Sequence, residues 1–196
     1  MSPVRAPTIL FIDAASAAGW AFGPAGQAPR SGSFRWASVG ASHGAISWGV
    51  IRWMQKFLAE NKPDEVVYEK PMTPTQMGGK TNVATTRMLM GIPFAIEGIC
   101  YGLGHRKLSE LSVDSIRKHF IGRNVRGEEG KEKVWRKCVG LGWIDPESDD
   151  DLSLDRTDAL AGWSYAETIL APRLATPVDD LVVAAEAKKR GKVFRP

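Results

Sequence analysis

Four carboxylates stand where the chain ends a run of strand-forming residues or opens a helix: Asp13 after "TILFI", Glu69 after "EVVY", and Asp155 with Asp158 at the start of "DRTDALAGW". An isolated ionised acid at the end of a buried strand costs several kcal/mol unless a partner or a metal compensates it. Asp155 and Asp158 are three residues apart, so a helix puts them on one face about a turn apart. Three or four acids brought together cannot all stay ionised near neutral pH without a cation. All-oxygen ligation, with no His or Cys nearby in sequence, suits a hard ion such as Mg²⁺ or Mn²⁺, and two such ions would activate water and stabilise the leaving oxygen of a phosphodiester. Asp155 also fits a helix cap or first-turn acid, Asp158 a surface acid, and Arg156 and Lys70 are placed in sequence to make a structural salt-bridge cluster with these acids instead.

The elements that must position these acids are legible in outline. "TILFID", "GWAFG" and "SGSFRWAS" read as an antiparallel meander. From Ser42 to Asn61 the apolar residues Ile46, Val50, Trp53, Met54, Phe57 and Leu58 recur at helical steps, and Lys62-Pro63-Asp64 stops that helix. "EVVYE" follows as a buried strand expected to lie parallel to the first, which would bring Asp13 and Glu69 out at the same sheet edge. A polar, turn-rich segment then precedes a long helix from about Asn82 to Leu103, whose continuity Pro93 and its glycines put in question. "KLSELS" reads as a last strand, Val113 to Ile121 as a helix, "GRNVRGEEG" as a mobile loop, Lys131 to Leu141 as a helix, and "DRTDALAGWSYAETIL" as the closing helix. Together they predict an α/β fold with a mixed five-stranded sheet, three strands antiparallel and the rest parallel, and helices on both faces.

Length and composition predict one domain, residues 1–170, with a C-terminal extension over 171–196 that either forms an arm or folds back. An apolar share of 43% and a charged share of 24% are those of a globular protein. No signal peptide is read at the N-terminus and no segment is expected to cross a bilayer, so a cytoplasmic protein without a membrane partner is expected. Cys100 and Cys138 form no metal or disulfide pattern and read as buried thiols. The formal charge of +4 equals the excess in the tail "EAKKRGKVFRP", and a second basic concentration lies between Ser115 and Val139. Both suit solvated surface or a polyanion, nucleic acid first. On the second reading, Lys70, Lys80, Arg87, Arg117, Lys118, Arg123, Arg126 and Lys131 are candidates for phosphate contacts, and Met72, Thr73, Gln76 and Met77 for base contacts. Trp48, Trp53 and Trp163 read as core residues.

The strand ending in Asp13 with its small-residue turn and "GWAF", the strand ending in Glu69, "SIRKHFIGR" leading to "KEKVWRKCVGLG", and the closing "DRTDALAGW" together resemble the RuvC family of Holliday junction resolvases over Ile9 to Glu167. "YEKPMTPTQMGGKTN" and "TTRMLMGIPFAIEGICYGLG" are similar to the phage-type branch. The resemblance implies an RNase H-like fold and a Mg²⁺-dependent endonuclease, with two ions per site (Mn²⁺ as substitute), that acts as a homodimer on branched DNA such as four-way junctions. It assigns Asp13, Glu69, Asp155 and Asp158 as catalytic metal ligands. The turn "DAASAAG" departs from the family's usual "DPGS..TG". Arg156 between the helix acids is a second departure, and Asp149 to Asp151 offer a substitute ligand. The helix from Asn82 to Leu103 is apolar on more than one face, which fits either a two-fold interface or cover by the chain's own C-terminus. The same acids suit an RNase H-like nuclease for flaps, forks or RNA/DNA hybrids, and a non-catalytic DNA-binding module if Arg156 and Lys70 neutralise them.

Overall fold

The first strand, β1 (Thr8–Asp13), buries both of its faces: Ile9 and Phe11 enter one core, Leu10 and Ile12 the other. Side chains alternate across a strand, so such a run belongs at the centre of a sheet covered on both sides. The computed structural model, which describes residues 5–72, 82–125 and 127–192, has that arrangement. β1 pairs antiparallel with β2 (Ala17–Pro24), and β2 with β3 (Arg30–Arg35). On its other edge β1 pairs parallel with β4 (Glu65–Glu69), and β4 with β5 (Leu108–Leu111). The resulting order is β3-β2-β1-β4-β5, the mixed five-stranded sheet expected.

One face is covered by α1 (His43–Asn61) and α2 (Val83–Gly102). Ser42 caps α1 by accepting from the Ala45 N–H, and Lys62, left-handed at φ 45°, ends it before Pro63. Trp20, Phe22, Phe34, Trp36, Trp53 and Phe57 form an aromatic cluster beneath α1, with Phe34 stacked on Trp53 at 4.9 Å. Trp48 does not join it: it is 58% exposed, because its position falls on the outer side of α1. α2 runs unbroken through Pro93, which lies on its buried side. At 20 residues and a mean hydropathy of 1.2, α2 is long and apolar enough by length and composition to cross a membrane, contrary to the expectation above. Its buried residues Ile92, Ile96 and Cys100 pack in the core formed with β1, β4 and α1.

The other face carries α3 (Val113–Ile121), α4 (Gly127–Leu141) and α5 (Leu154–Leu170). α4 starts four residues before the predicted Lys131, so the "GRNVRGEEG" loop is shorter than expected; Glu128 and Glu129 in its first turn suit the positive end of the helix dipole. α5 lies across β1 and β2 at very short range. A Cβ on Gly162 would come within 2.1 Å of the Phe11 ring, and one on Gly19 within 1.8 Å of the Asp155 carbonyl oxygen. The Trp163 indole N–H, fully buried, donates to the Ile9 carbonyl at 3.1 Å.

The C-terminal segment folds back on the body as α6 (Asp180–Lys189). Val183 and Ala187 are buried, Asp180 pairs with the buried Lys137 at 2.6 Å, Arg190 donates to the Gly140 carbonyl, and Lys192 pairs with Asp145 at 2.8 Å. The buried Glu167 accepts the backbone N–H groups of Gly26 and Thr176 at 2.9 and 2.8 Å, fixing the start of this segment to the β2–β3 turn. Among the described tail cations, Lys189, Arg190 and Lys192 are thus engaged within the chain.

The closeness of Gly19 to α5 is open to direct measurement. Gly19→Ala forces either β2 or the first turn of α5 to move, and we expect a loss of about 1–3 kcal/mol, seen as a fall in Tm of several degrees by calorimetry. An unchanged Tm would mean that α5 does not lie directly on β2.

Candidate active site

Sheet register brings the first two acids level. β1 and β4 run parallel with Ile12 opposite Tyr68, so the next residues, Asp13 and Glu69, leave the sheet side by side. β1 and β2 run antiparallel with Asp13 opposite Gly19, and the bare Cα of Gly19 is what lets the backbone of Asp155 lie against that strand. Ser153 caps α5 by accepting from the Arg156 N–H, which sets Asp155 in the first turn and Asp158 one turn on, toward the sheet. Three segments distant in sequence thus deliver their acids to one edge.

The electrostatics record that convergence. The Asp13 carboxyl is held well above the ordinary range by burial first, then by the charges of Glu69, Asp158 and Asp155. Glu69 is pushed up to about 7, again by burial and then by Asp158, with Arg117 and Lys131 opposing. Asp158 is raised by burial and by Asp155, against the same two cations. Each of the three is crowded by at least one neighbouring acid.

Two of the residues expected on a DNA path are members of this site. Arg117 is buried in α3, where Nη1 donates to the Val125 carbonyl at 2.7 Å and Nη2 lies 3.9 Å from Asp158 Oδ1. Among the described residues its Nε has no hydrogen-bond partner. A Cβ on Gly130 would stand 2.8 Å from Arg117 Nη1, so this glycine makes room for the guanidinium. Lys131, from the opening turns of α4, holds Nζ at 4.0 Å from Asp158 Oδ2 and is felt by Asp13 and Glu69 as well. A signal for both was present in the sequence: Arg117 lies buried beside Ile116 and Phe120, and the half-buried Lys131 stands three and seven residues before the buried Val134 and Cys138. A cation on the inward stripe of a helix needs an internal partner.

The remaining candidates lie elsewhere. Arg156 turns away from the acids: Nε donates to Ser31 Oγ at 2.8 Å, Nη1 to the Asp151 carbonyl at 2.6 Å, and it pairs with Asp149 at 3.1 Å. Asp151 accepts the Ser33 and Ser153 N–H groups at 2.6 and 3.0 Å. Asp149 and Asp151 thus close the edge of β3 and are committed there. Lys70 pairs with Glu110 at 2.6 Å on the surface. Neither Arg156 nor Lys70 neutralises the site. Arg123 pairs with Glu129 at 3.4 Å, and Lys118 and Arg87 are exposed. Lys80 and Arg126, with Thr73, Gln76 and Met77, lie outside the described residues.

The donor set is all carboxylate, which fits a hard divalent ion and no softer one. Among the described residues, no group of three His, Cys, Asp or Glu side chains stands at the spacing of a formed metal site. The positive charge facing Asp158 comes from Arg117 and Lys131.

The raised acids make the stability of the metal-free protein depend on pH with a definite sign. Glu69 binds a proton more tightly folded than unfolded, so its contribution is full below its ordinary 4.5 and is lost as pH rises through about 7. His119, held below its ordinary value by burial and Lys137, works in the opposite direction. The comparison of wild type with Glu69→Gln in EDTA therefore isolates the site. The Tm advantage of Glu69→Gln should grow between about pH 4.5 and about 7 and then level off; an advantage that shrinks across that window would contradict the crowding.

The sequence matches no protein-family model and no curated protein. Solved structures do match. RuvC of Thermus thermophilus superposes with a TM-score of 0.54 at 12% identity, covering 95% of this chain and 98% of that one. The same protein in complex with a Holliday junction substrate gives 0.58 at 12% identity, covering 96% and 98%. The yeast mitochondrial Holliday junction resolvase Ydc2 gives 0.56 at 12% identity, covering 83% and 80%. The chain has the RNase H-like fold of the RuvC-type Holliday junction resolvases.

Proposed function

We propose that this chain is a Mg²⁺-dependent endonuclease that hydrolyses phosphodiesters in branched DNA, four-way junctions first. The observation that carries this reading is the meeting of Asp13, Glu69 and Asp158 at one sheet edge, where burial and neighbouring carboxylates together raise the proton affinity of all three. Such a group is unfavourable for folding and is explained by a ligand that repays its desolvation. In support, the fold is shared with Thermus thermophilus RuvC, whose structure has been solved in complex with a Holliday junction substrate. Two copies would present two such sites to one junction.

In this reading Asp13, Glu69, Asp155 and Asp158 hold Mg²⁺, which when bound supplies an activated water and stabilises the leaving oxygen. Asp13, level with Glu69 and beside the first turn of α5, would be the central member of that ligand set. Arg117 is a positioning residue, tying the carboxylate of Asp158 to the loop carbonyl of Val125. Lys131 opposes the rise in the acids' proton affinity and would offer an ammonium to a phosphate entering the site.

A second reading has an observation of its own. Arg117 and Lys131 flank Asp158, so a site neutralised by its own cations would serve a DNA-binding module without catalysis. Metal titration separates the two. Wild type should bind Mn²⁺ with release of protons, and Asp13→Asn should lose that binding. With a labelled four-way junction, Asp13→Asn should cut at least about a hundredfold more slowly in Mg²⁺ and still shift the junction in a gel. No carboxylate-dependent Mn²⁺ binding by wild type would favour the module, and wild-type cutting by Asp13→Asn would refute the ligand assignment. Flap, fork, hybrid and linear duplex substrates in the same panel determine the substrate range.

A further inference from the structure

A lysine lies inside the helix layer, away from the acids. Lys137 of α4 is 5% exposed and reaches both α3 and α6. Its Nζ donates to the Phe120 carbonyl, in the last turn of α3, at 2.7 Å and pairs with Asp180 Oδ1, at the start of α6, at 2.6 Å. The same ammonium stands 5.8 Å from the centre of the Phe120 ring. An apolar side chain of similar size would fill the place without desolvating a charge, and exchanges of that kind are often neutral or stabilising. What the ammonium adds is direction, since it engages one carbonyl and one carboxylate from two other helices at fixed points.

Those two bonds bear on the acids through helix geometry. Phe120 stands three residues after Arg117 on α3, and Lys137 six residues after Lys131 on α4. A tether from Lys137 to Phe120 therefore fixes the relative placement of the two helices that carry the site's cations. Such fixing is needed, because Asp158 does not seat either cation itself: the pairs measure 3.9 and 4.0 Å, longer than a hydrogen bond. α4 also meets the loop after α3 at Gly130, where a Cβ would stand 2.2 Å from the Val125 carbonyl that Arg117 holds. Lys131 lies on the stretch of α4 between these two points of attachment. α6 grips the tether from outside: Asp180 takes Lys137 at one end, Val183 and Ala187 are buried between, and Arg190 donates to the Gly140 carbonyl at the other.

We propose that Lys137 is a positioning residue: by tying the end of α3 to α4 it sets Arg117 and Lys131 at their distances from Asp158, and through Asp180 it makes α6 a working part of the active site. Its effect on cleavage rests on the nuclease reading above, whereas the tether itself does not.

Junction cleavage and hydrogen exchange in the same full-length variants test it. Lys137→Met should lower kcat at least about tenfold while the junction KM changes by less than about threefold. Lys137→Arg, which keeps a donor, should recover most of that loss, and Asp180→Asn should fall between. In a Lys131→Met background the factor lost to Lys137→Met should shrink at least about threefold, because one of the groups it positions is gone; a lysine that only stabilised the fold would cost its full factor again. In the metal-free protein the amides of residues 131–134 should exchange at least about tenfold faster in Lys137→Met, with those of β1 keeping their protection. Wild-type kcat in Lys137→Met, or an undiminished factor in the Lys131→Met background, overturns the positioning role. Should Lys137→Met fail to fold, Asp180→Asn, altered at a side chain that is 57% exposed, carries both assays, and wild-type behaviour in the two overturns the link. If wild type cuts no junction, the nuclease reading fails, and the exchange comparison still decides the tether: unchanged protection at residues 131–134 overturns it, and faster exchange there supports it.

Discussion

Crowded negative charge in a desolvated corner is the constraint around which this protein is arranged. Asp13, Glu69 and Asp158 are each partly withdrawn from water, and each is opposed by a neighbouring carboxylate: Asp13 by Glu69 and Asp158, Glu69 by Asp158, and Asp158 by Asp155. The body accommodates that cost by rigidity. Asp13 and Glu69 are the last residues of two neighbouring strands, so neither can retreat without breaking a ladder. Asp155 and Asp158 sit on a helix whose backbone touches β2 at Gly19, so that pair cannot retreat either.

The rest of the fold can be understood as the support of those three segments. The double-faced strand β1 requires helices above and below it. α1 and α2 supply one layer, while α5 with α3 and α4 supplies the other. α5 is set by the Trp163 bond to β1, by Gly162 under Phe11 and by its Ser153 cap, all within the residues that carry the acids. Arg156 extends the same logic outward. By gripping Ser31 and the 149–151 loop it fastens the start of α5 to β3 and keeps its own charge out of the site. The two cations that do face the acids, Arg117 and Lys131, come from α3 and α4, and α4 is in turn braced at its far end by α6.

The two sides of the sheet thus have different tasks. The α3–α4–α5 side carries charge compensation, with Arg117, Lys131, Lys137 and Arg156 each paired to an acid of the same chain. The α1–α2 side is apolar and leaves a helix face uncovered, with the aromatic cluster under α1 giving it a firm backing.

By itself the sequence determined the strand and helix order, the four acids and their exit at one edge, because alternation, helical spacing and caps are local properties written in consecutive residues. It also carried enough of the order of motifs to resemble a fold family at an identity where the superposed structures share only 12%. What the tertiary structure decided is the fate of the cations and of the surplus apolar surface. Arg117 and Lys131 turned inward, Arg156 turned to β3, Lys70 paired with Glu110, Trp48 pointed outward and the basic tail folded onto α4. A long charged side chain takes whichever partner lies within reach, and which partner that is depends on how distant segments pack.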